Sequence, residues 1–272
     1  MPVVGIVGGR GGIGSLFARL LGAAGATVLV SDRDTTLHNV ELPARCDLTL
    51  VAVPLRATPA VLAELAPLTR PGAALVSLAS LMEPSAAALE SCRGDALFLH
   101  PLFGPGRRDP RGTTLAFAAL RGRGDTGQGG WLLAALRGQG ATIVDTTPAE
   151  HDRAMAVAQV LLHGGYAALA PILSRRLPGP DPLAWVTPTL RAQLALMSRI
   201  LRQDPALYGD LLALNRHTPA AIDELIGRLV ELRGAARNGP DAVAAIFAAA
   251  RDGLGPVGPS LAAEGDRILG EG

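Results

Sequence analysis

Two groups of residues in this sequence could do chemistry. The first is glycine-rich. In "VVGIVGGRGGIGSLFARLLGAAGATVLVSDRD", residues 3 to 34, Gly9, Gly11 and Gly14 take the spacing G-x-G-x-x-G, straight after an apolar run and at the start of a helical pattern. A second apolar run follows and ends in Asp32, 18 residues past Gly14. Gly9 would permit a tight turn, Gly11 the approach of a pyrophosphate to the backbone, and Gly14 close packing of helix on strand. The helix N-terminus would stabilise the anion, and Asp32 would accept hydrogen bonds from a ribose hydroxyl. Dinucleotide binding is therefore expected at Gly9, Arg10, Gly11, Gly12, Ile13 and Gly14, at Asp32 and Arg33, and at the strand-end pair Val53 and Pro54. A carboxylate at position 32 repels a 2′-phosphate and favours NAD. The adjacent Arg33 could contact such a phosphate, so NADP stays open.

The second group centres on His100, in "ALFLHPLFGP" (96–105). It ends an apolar run and precedes a proline. A strand-end histidine can hold a backbone group in place, or its neutral imidazole can take a proton from a substrate hydroxyl while hydride leaves the same carbon. Ser80 ends the preceding apolar run. No metal site is expected: Cys46 and Cys92 have no ligand spacing and read as buried thiols of a reducing compartment.

The elements that must position these groups follow from hydrophobic patterning. Strand-like runs occupy 3–8, 26–32, 48–54, 73–79, 96–101, 113–120 and 141–147. Several are continuous rather than alternating, as in strands covered on both faces. With helical stretches between them they predict a parallel, doubly wound α/β sheet, whose strand C-termini face the ligand crevice. "GRGDTGQGG" (122–130) reads as an exposed loop. Thr147, Pro148 and Glu150 form a capping-box signature that opens a long helix. "LPGPDP" (177–182) reads as a loop, and helical periodicity returns in 189–203, 205–215, 218–233 and 239–252. The domains are therefore expected at 1–147, a Rossmann-type dinucleotide-binding domain, and 148–272, all-helical. The tail after Gly253, rich in Gly and Pro, is expected to fray.

Composition narrows the function classes. The chain has 272 residues, 49% of them hydrophobic, with a mean hydropathy of +0.30 and a net charge of +1. That argues against disorder and against a broad electrostatic footprint for nucleic acid or anionic lipid. All 25 cationic side chains are arginine, so neither a lysine base nor a Schiff base is available. The apolar stretch 154–173 is interrupted by Gln159, His163 and a Gly pair, and reads as a buried helix rather than a membrane span. No signal peptide is expected at the N-terminus, and the expected location is cytoplasmic.

The segments "VGGRGGIGSLFARLL", "VAVPLRAT", "SLAS", "LHPLFGP", "AEHDRAMAVAQVLLH" and "RAQLALMSRILRQDPALYGDLL" occur in that order. The series resembles the prephenate dehydrogenase family, most closely the dehydrogenase half of the bifunctional chorismate mutase–prephenate dehydrogenases, over residues 3 to 252. No mutase domain is expected ahead of the first strand. The resemblance implies that His100 is the catalytic base at the C4 hydroxyl of a cyclohexadienyl substrate, that Ser80 contacts the same hydroxyl, and that Arg199 binds the ring carboxylate. Arg191, two helical turns before it, would assist with substrate anions or serve the helical core. His151 would either cap a helix start or contact substrate, and His163 would pack on a helix face. The resemblance further implies a homodimer formed through the helical domain.

One departure stands out. The family carries a lysine two residues after the serine, where this chain has Met82. A substrate with an ammonium at C4 would be repelled by a lysine there; two unit charges ~4 Å apart cost about 4 kcal/mol at an effective dielectric near 20. Three substrates therefore stay open: prephenate, its 4-amino-4-deoxy analogue, whose oxidation gives 4-aminophenylpyruvate, a precursor used in antibiotic pathways, and arogenate. An imine-reductase-like oxidoreductase shares the layout but does not account for the His-Pro-x-Phe-Gly-Pro element, and the retention of His100, Ser80 and Arg199 together weighs against a nucleotide sensor that has lost catalysis.

Overall fold

A computed structural model describes residues 1–122, 124–176 and 182–270, and residues 177–181 of the expected "LPGPDP" loop lie outside them. Seven strands form one sheet: β1 (Val3–Val7), β2 (Thr27–Ser31), β3 (Leu48–Val51), β4 (Ala74–Ser77), β5 (Asp95–Pro101), β6 (Thr114–Arg121) and β7 (Thr142–Asp145). Their order is β2-β1-β3-β4-β5-β6-β7. The helices are α1 (Gly12–Ala23), α2 (Leu42–Arg45), α3 (Thr58–Leu65), α4 (Glu83–Ala86), α5 (Gly127–Gly138), α6 (Pro148–Met155), α7 (Leu162–Arg176), α8 (Pro188–Leu201), α9 (Pro205–Leu214), α10 (Thr218–Asn238), α11 (Pro240–Gly253) and α12 (Gly258–Leu269).

The continuous apolar strands are buried on both faces, as their composition requires. On one face Ile6, Leu50, Val76 and Leu99 pack with Phe17 of α1 and Leu132 of α5. On the other, Leu75 and Phe98 pack with Leu62 and Leu65 of α3, Leu89 and Met82. Successive strand residues alternate between faces. His100 therefore shares the second face with Ala96 and Phe98.

The sheet is parallel from β2 to β5, but β6 runs antiparallel to β5, with His100 opposite Ala116, and β7 runs parallel to β6. The all-parallel expectation fails there for a physical reason. A parallel return needs a crossover, usually a helix. The connection 102–113 holds Gly104-Pro105-Gly106 and Pro110 and forms none. The expected loop at 122–130 is corrected too, because α5 begins at Gly127. Gly130 serves close packing rather than looseness: a Cβ on it would lie 2.8 Å from the Asp125 carbonyl carbon. The tail after Gly253 likewise forms α12, with Pro259 in its first turn, where proline's fixed φ suits a helix.

The chain divides into two compact units. The first holds Met1–Met155 and Gly209–Asn215; the second holds Ala156–Tyr208 and the chain from Arg216 onward. In the first, the Thr147 capping box forms as read: Glu150 Oε2 accepts the Thr147 N–H at 3.1 Å, and Thr147 Oγ1 accepts the Glu150 N–H at 3.3 Å. In the second, Ala156–Leu161 is π-helical and leads into α7. The stretch 154–173 is not the buried helix expected: Val157, Leu162, Leu169 and Ile172 are 47–62% exposed. Pro148–Arg176 is also long and apolar enough to cross a membrane, the one such helix among the described residues, and its apolar face is left uncovered in the single chain.

Candidate active site

The glycine loop is built by contacts that admit no side chain. Gly8 leaves β1 with φ +74°, and a Cβ on it would lie 2.5 Å from the Ala52 carbonyl oxygen. The Gly11 N–H donates to the Gly8 carbonyl at 3.0 Å, closing the turn. The left-handed residue of this turn is thus Gly8, not Gly9. Gly9 is needed for space, since its Cβ would meet Val30 Cγ1 at 2.6 Å. Gly14 faces backbone: its Cβ would lie 2.2 Å from the Gly8 oxygen and 2.7 Å from Gly9 Cα. Neither atom can swing away. Gly14→Ala is therefore expected to destabilise the protein by about 3 kcal/mol, the upper range for overpacking. Thermal unfolding should show this as a Tm lowered by roughly 6–12 °C.

Asp32 follows β2 and turns back to the loop. Its Oδ2 accepts the Arg10 N–H at 2.9 Å and its Oδ1 accepts the Arg33 N–H at 2.8 Å. These amides, Arg10's first, hold the carboxyl below its usual range. A cleft of about 900 Å³ opens beside them, lined by Arg10, Gly11, Asp32, Arg33, Val53 and Pro54 among others. That is an ample volume for part of a dinucleotide. His38 and Asn39 also line it, two residues with no expected role in binding. The Ile13 side chain packs on the first core cluster instead. Gly12 lies under the His-Pro-x-Phe-Gly-Pro element, where a Cβ would come within 2.9 Å of Pro105 Cγ. The second chemical motif thus rests directly on the first.

At the end of β5, His100 is 3% exposed. Burial, and then the neighbouring His151, push its pKa from the usual 6.5 down to about 3, so the imidazole is neutral. His100 Nδ1 lies 2.9 Å from His151 Nε2, and His151 Nδ1 lies 2.7 Å from Asp152 Oδ1. Asp152 also accepts two backbone N–H groups at the start of α4, from Met82 to Oδ1 and from Glu83 to Oδ2, both at 2.9 Å. Asn215 Nδ2 donates to the Asp152 carbonyl at 2.7 Å. His151 and Asp152 are 2% and 1% exposed. His151 is therefore an interior residue set between His100 and Asp152. Asp152 and Asn215 received no role from the sequence, although Asp152 sits in the quoted "EHD".

Ser80 stands three residues beyond β4, the strand beside β5, and is half-buried. Met82 is not where the substrate argument needs it. Its side chain is fully buried in the second core cluster, and only its backbone reaches the site, through the bond to Asp152. The expectation that Met82 lines a substrate pocket is corrected accordingly. A flexible apolar chain at that position fills the core, where an ammonium would be left without water.

In the second unit, Arg191 and Arg199 both lie exposed on α8. Tyr208 is pushed up in pKa by burial, against the opposing charge of Arg199. Its ring meets His163 edge-on with centroids 4.9 Å apart. His163 packs on a helix face as read, yet His163 Nδ1 and Gln159 Oε1 are buried without a hydrogen-bond partner.

A family profile described as "Prephenate dehydrogenase, dimerization domain" matches residues 147–246. The chain is 33% identical over 231 residues to the T-protein of Enterobacter agglomerans, covering 85% of this chain and 61% of that protein. It is 26% identical over 253 residues to a probable arogenate/prephenate dehydrogenase of Methanocaldococcus jannaschii, covering 86% and 57%. The chain thus spans about three fifths of the length of these relatives. The crystal structure of prephenate dehydrogenase from A. aeolicus, in complex with hydroxyphenyl propionate and NAD+, superposes with a TM-score of 0.73 at 18% identity, covering 92% of this chain and 96% of that one. The Synechocystis arogenate dehydrogenase gives 0.61 at 20% identity, covering 86% and 92%. At such identities the superpositions establish the fold: a mostly parallel Rossmann-type sheet followed by a helical domain. The profile match and the T-protein likeness make this chain similar to the prephenate dehydrogenase family.

Proposed function

We propose that the protein oxidatively decarboxylates a prephenate-type cyclohexadiene with a nicotinamide dinucleotide. The observation that carries this reading is the neutral, buried His100 at a strand end, in a motif whose Pro105 rests on the glycine loop. The cradle fits the cofactor. Gly8, Gly9 and Gly14 leave the backbone bare where side chains would intrude, and Asp32 is held facing the turn. When bound, the dinucleotide supplies the acceptor for the hydride that leaves C4. Asp32 favours NAD over NADP by repelling a 2′-phosphate.

His100 takes the proton of the C4 substituent, with Ser80 beside the same group. Arg199, assisted by Arg191, grips the ring carboxylate; a guanidinium holds a carboxylate in two parallel bonds and so fixes the ring's orientation as well as its charge. Carbon dioxide leaves as the ring aromatises, and this supplies most of the driving force. The protein's task is orientation and a base. The exposed apolar residues Val157, Leu162, Leu169 and Ile172 support a homodimer that covers them.

Prephenate is the first substrate of this reading, because the burial of Met82 removes the geometric support for an ammonium at C4. The 4-amino analogue remains the second reading on a single observation: a chain without lysine presents no ammonium to repel it. Purified protein given prephenate, 4-amino-4-deoxyprephenate or arogenate, each with NAD or NADP, should reduce NAD fastest with prephenate, as followed by cofactor absorbance. A hundredfold preference in kcat/KM for the amino substrate would transfer the assignment to it. No cofactor reduction with any of the three would end the proposal.

A further inference from the structure

The Asp152–His151–His100 chain has a direction, and the direction decides which nitrogen of His100 can act. Asp152 already accepts the backbone N–H groups of Met82 and Glu83. An ionised carboxylate can only accept, so His151 must offer its proton at Nδ1. When His151 carries that one proton, Nε2 is a bare lone pair; a second proton on Nε2 would point at His100 Nδ1 and impose the opposite tautomer. That lone pair faces His100 Nδ1 at 2.9 Å, so His100 must carry its own proton on Nδ1. Its Nε2 is then unprotonated, the form a base requires. Burial reinforces the arrangement, because neither imidazole has room to turn and exchange partners with water.

We propose that Asp152, acting through His151, is the positioning device that locks His100 in the Nδ1–H tautomer and so makes Nε2 the proton acceptor of the reaction. Its role in turnover rests on the function proposed above; the tautomer itself does not. In the step concerned, the bond from the C4 substituent to its proton breaks and an N–H bond forms at His100 Nε2. The Nδ1–H···Nε2 bond to His151 persists, and the positive charge gained by His100 faces a carboxylate two hydrogen bonds away. Asn215, bonded to the Asp152 carbonyl, fixes the backbone from which the chain starts.

The test uses the full chain labelled with 15N-histidine, without substrate, at neutral pH. His100 is assigned by the signal lost in His100→Gln. The expected spectrum shows His100 protonated at Nδ1 and bare at Nε2; a proton on Nε2 overturns the proposal. Asp152→Ala removes the acceptor that holds the proton at His151 Nδ1 and should leave His100 no longer confined to the Nδ1–H form. It should lower kcat about a hundredfold while KM stays within about threefold, a smaller loss than when the carboxylate bonds the catalytic histidine directly. A folded Asp152→Ala protein with the wild-type tautomer and kcat also overturns the proposal. If that variant does not fold, the wild-type spectrum decides alone. If the wild type turns over none of the substrates, the functional reading fails while the spectrum still decides the tautomer.

Discussion

His100→Gln is expected to lower kcat by roughly 10²–10⁴-fold, the range for losing a positioned general base. KM for substrate and cofactor should change little, because the imidazole supplies a proton acceptor rather than a grip. Glutamine keeps a polar end near His151 and roughly preserves the buried volume, so the loss should appear in protein that remains folded. A stability measurement gives an independent check. In the folded protein His100 titrates near 3, whereas an unfolded chain titrates near 6.5. Between those values the unfolded state binds the extra proton. The wild type should therefore lose stability as pH falls from 6.5 toward 3, and His100→Gln should lose less over the same window. Equal acid sensitivity in both proteins would mean that His100 is not held neutral by the fold. Unchanged kcat would remove it from the chemistry.

Arg199→Gln is expected to raise KM for the dienyl substrate about a hundredfold, with a much smaller change in KM for the dinucleotide. Hydrogen bonds to charged groups contribute about 1.5–3 kcal/mol, which corresponds to roughly 10–150-fold in affinity. Arg199→Lys should recover only part of the loss, because an ammonium cannot reproduce the two parallel bonds of a guanidinium. Arg199 lies exposed on α8, so neither variant removes core packing. Steady-state kinetics on the three proteins would check this. A dinucleotide KM raised as much as the substrate KM would point to a cofactor contact instead.

Much of this architecture could be read from residue order. The seven strand-like runs correspond to β1–β7, because continuous apolar segments between helical patterns have few other places to go. The Thr147 capping box and the strand-end position of His100 were equally local features and equally legible. What escaped depended on partners distant in sequence. The reversal of β6 is set by what the connection 102–113 cannot form. The left-handed turn falls on Gly8 because of Ala52, 44 residues further on. The burial of Met82 is decided by α3 and the second face of the sheet, and neighbouring residues say nothing of it. The pairing of His100 with His151 spans 51 residues. It joins two histidines that the sequence had sorted into different domains.

The first compact unit is not contiguous in sequence: it includes Gly209–Asn215, a segment flanked on both sides by residues of the second. Asp210 in that segment takes the guanidinium of Arg56, whose Nε lies 3.0 Å from Oδ1, and Asn215 secures Asp152. The first unit is therefore not a severable module. A chain cut after residue 155 would keep every strand and glycine of the cradle, yet it would lack the carboxylate facing Arg56 and the amide steadying the histidine pair. Recombination that exchanged the helical half alone would carry both off with it, so these halves can be expected to travel through evolution as one inheritance.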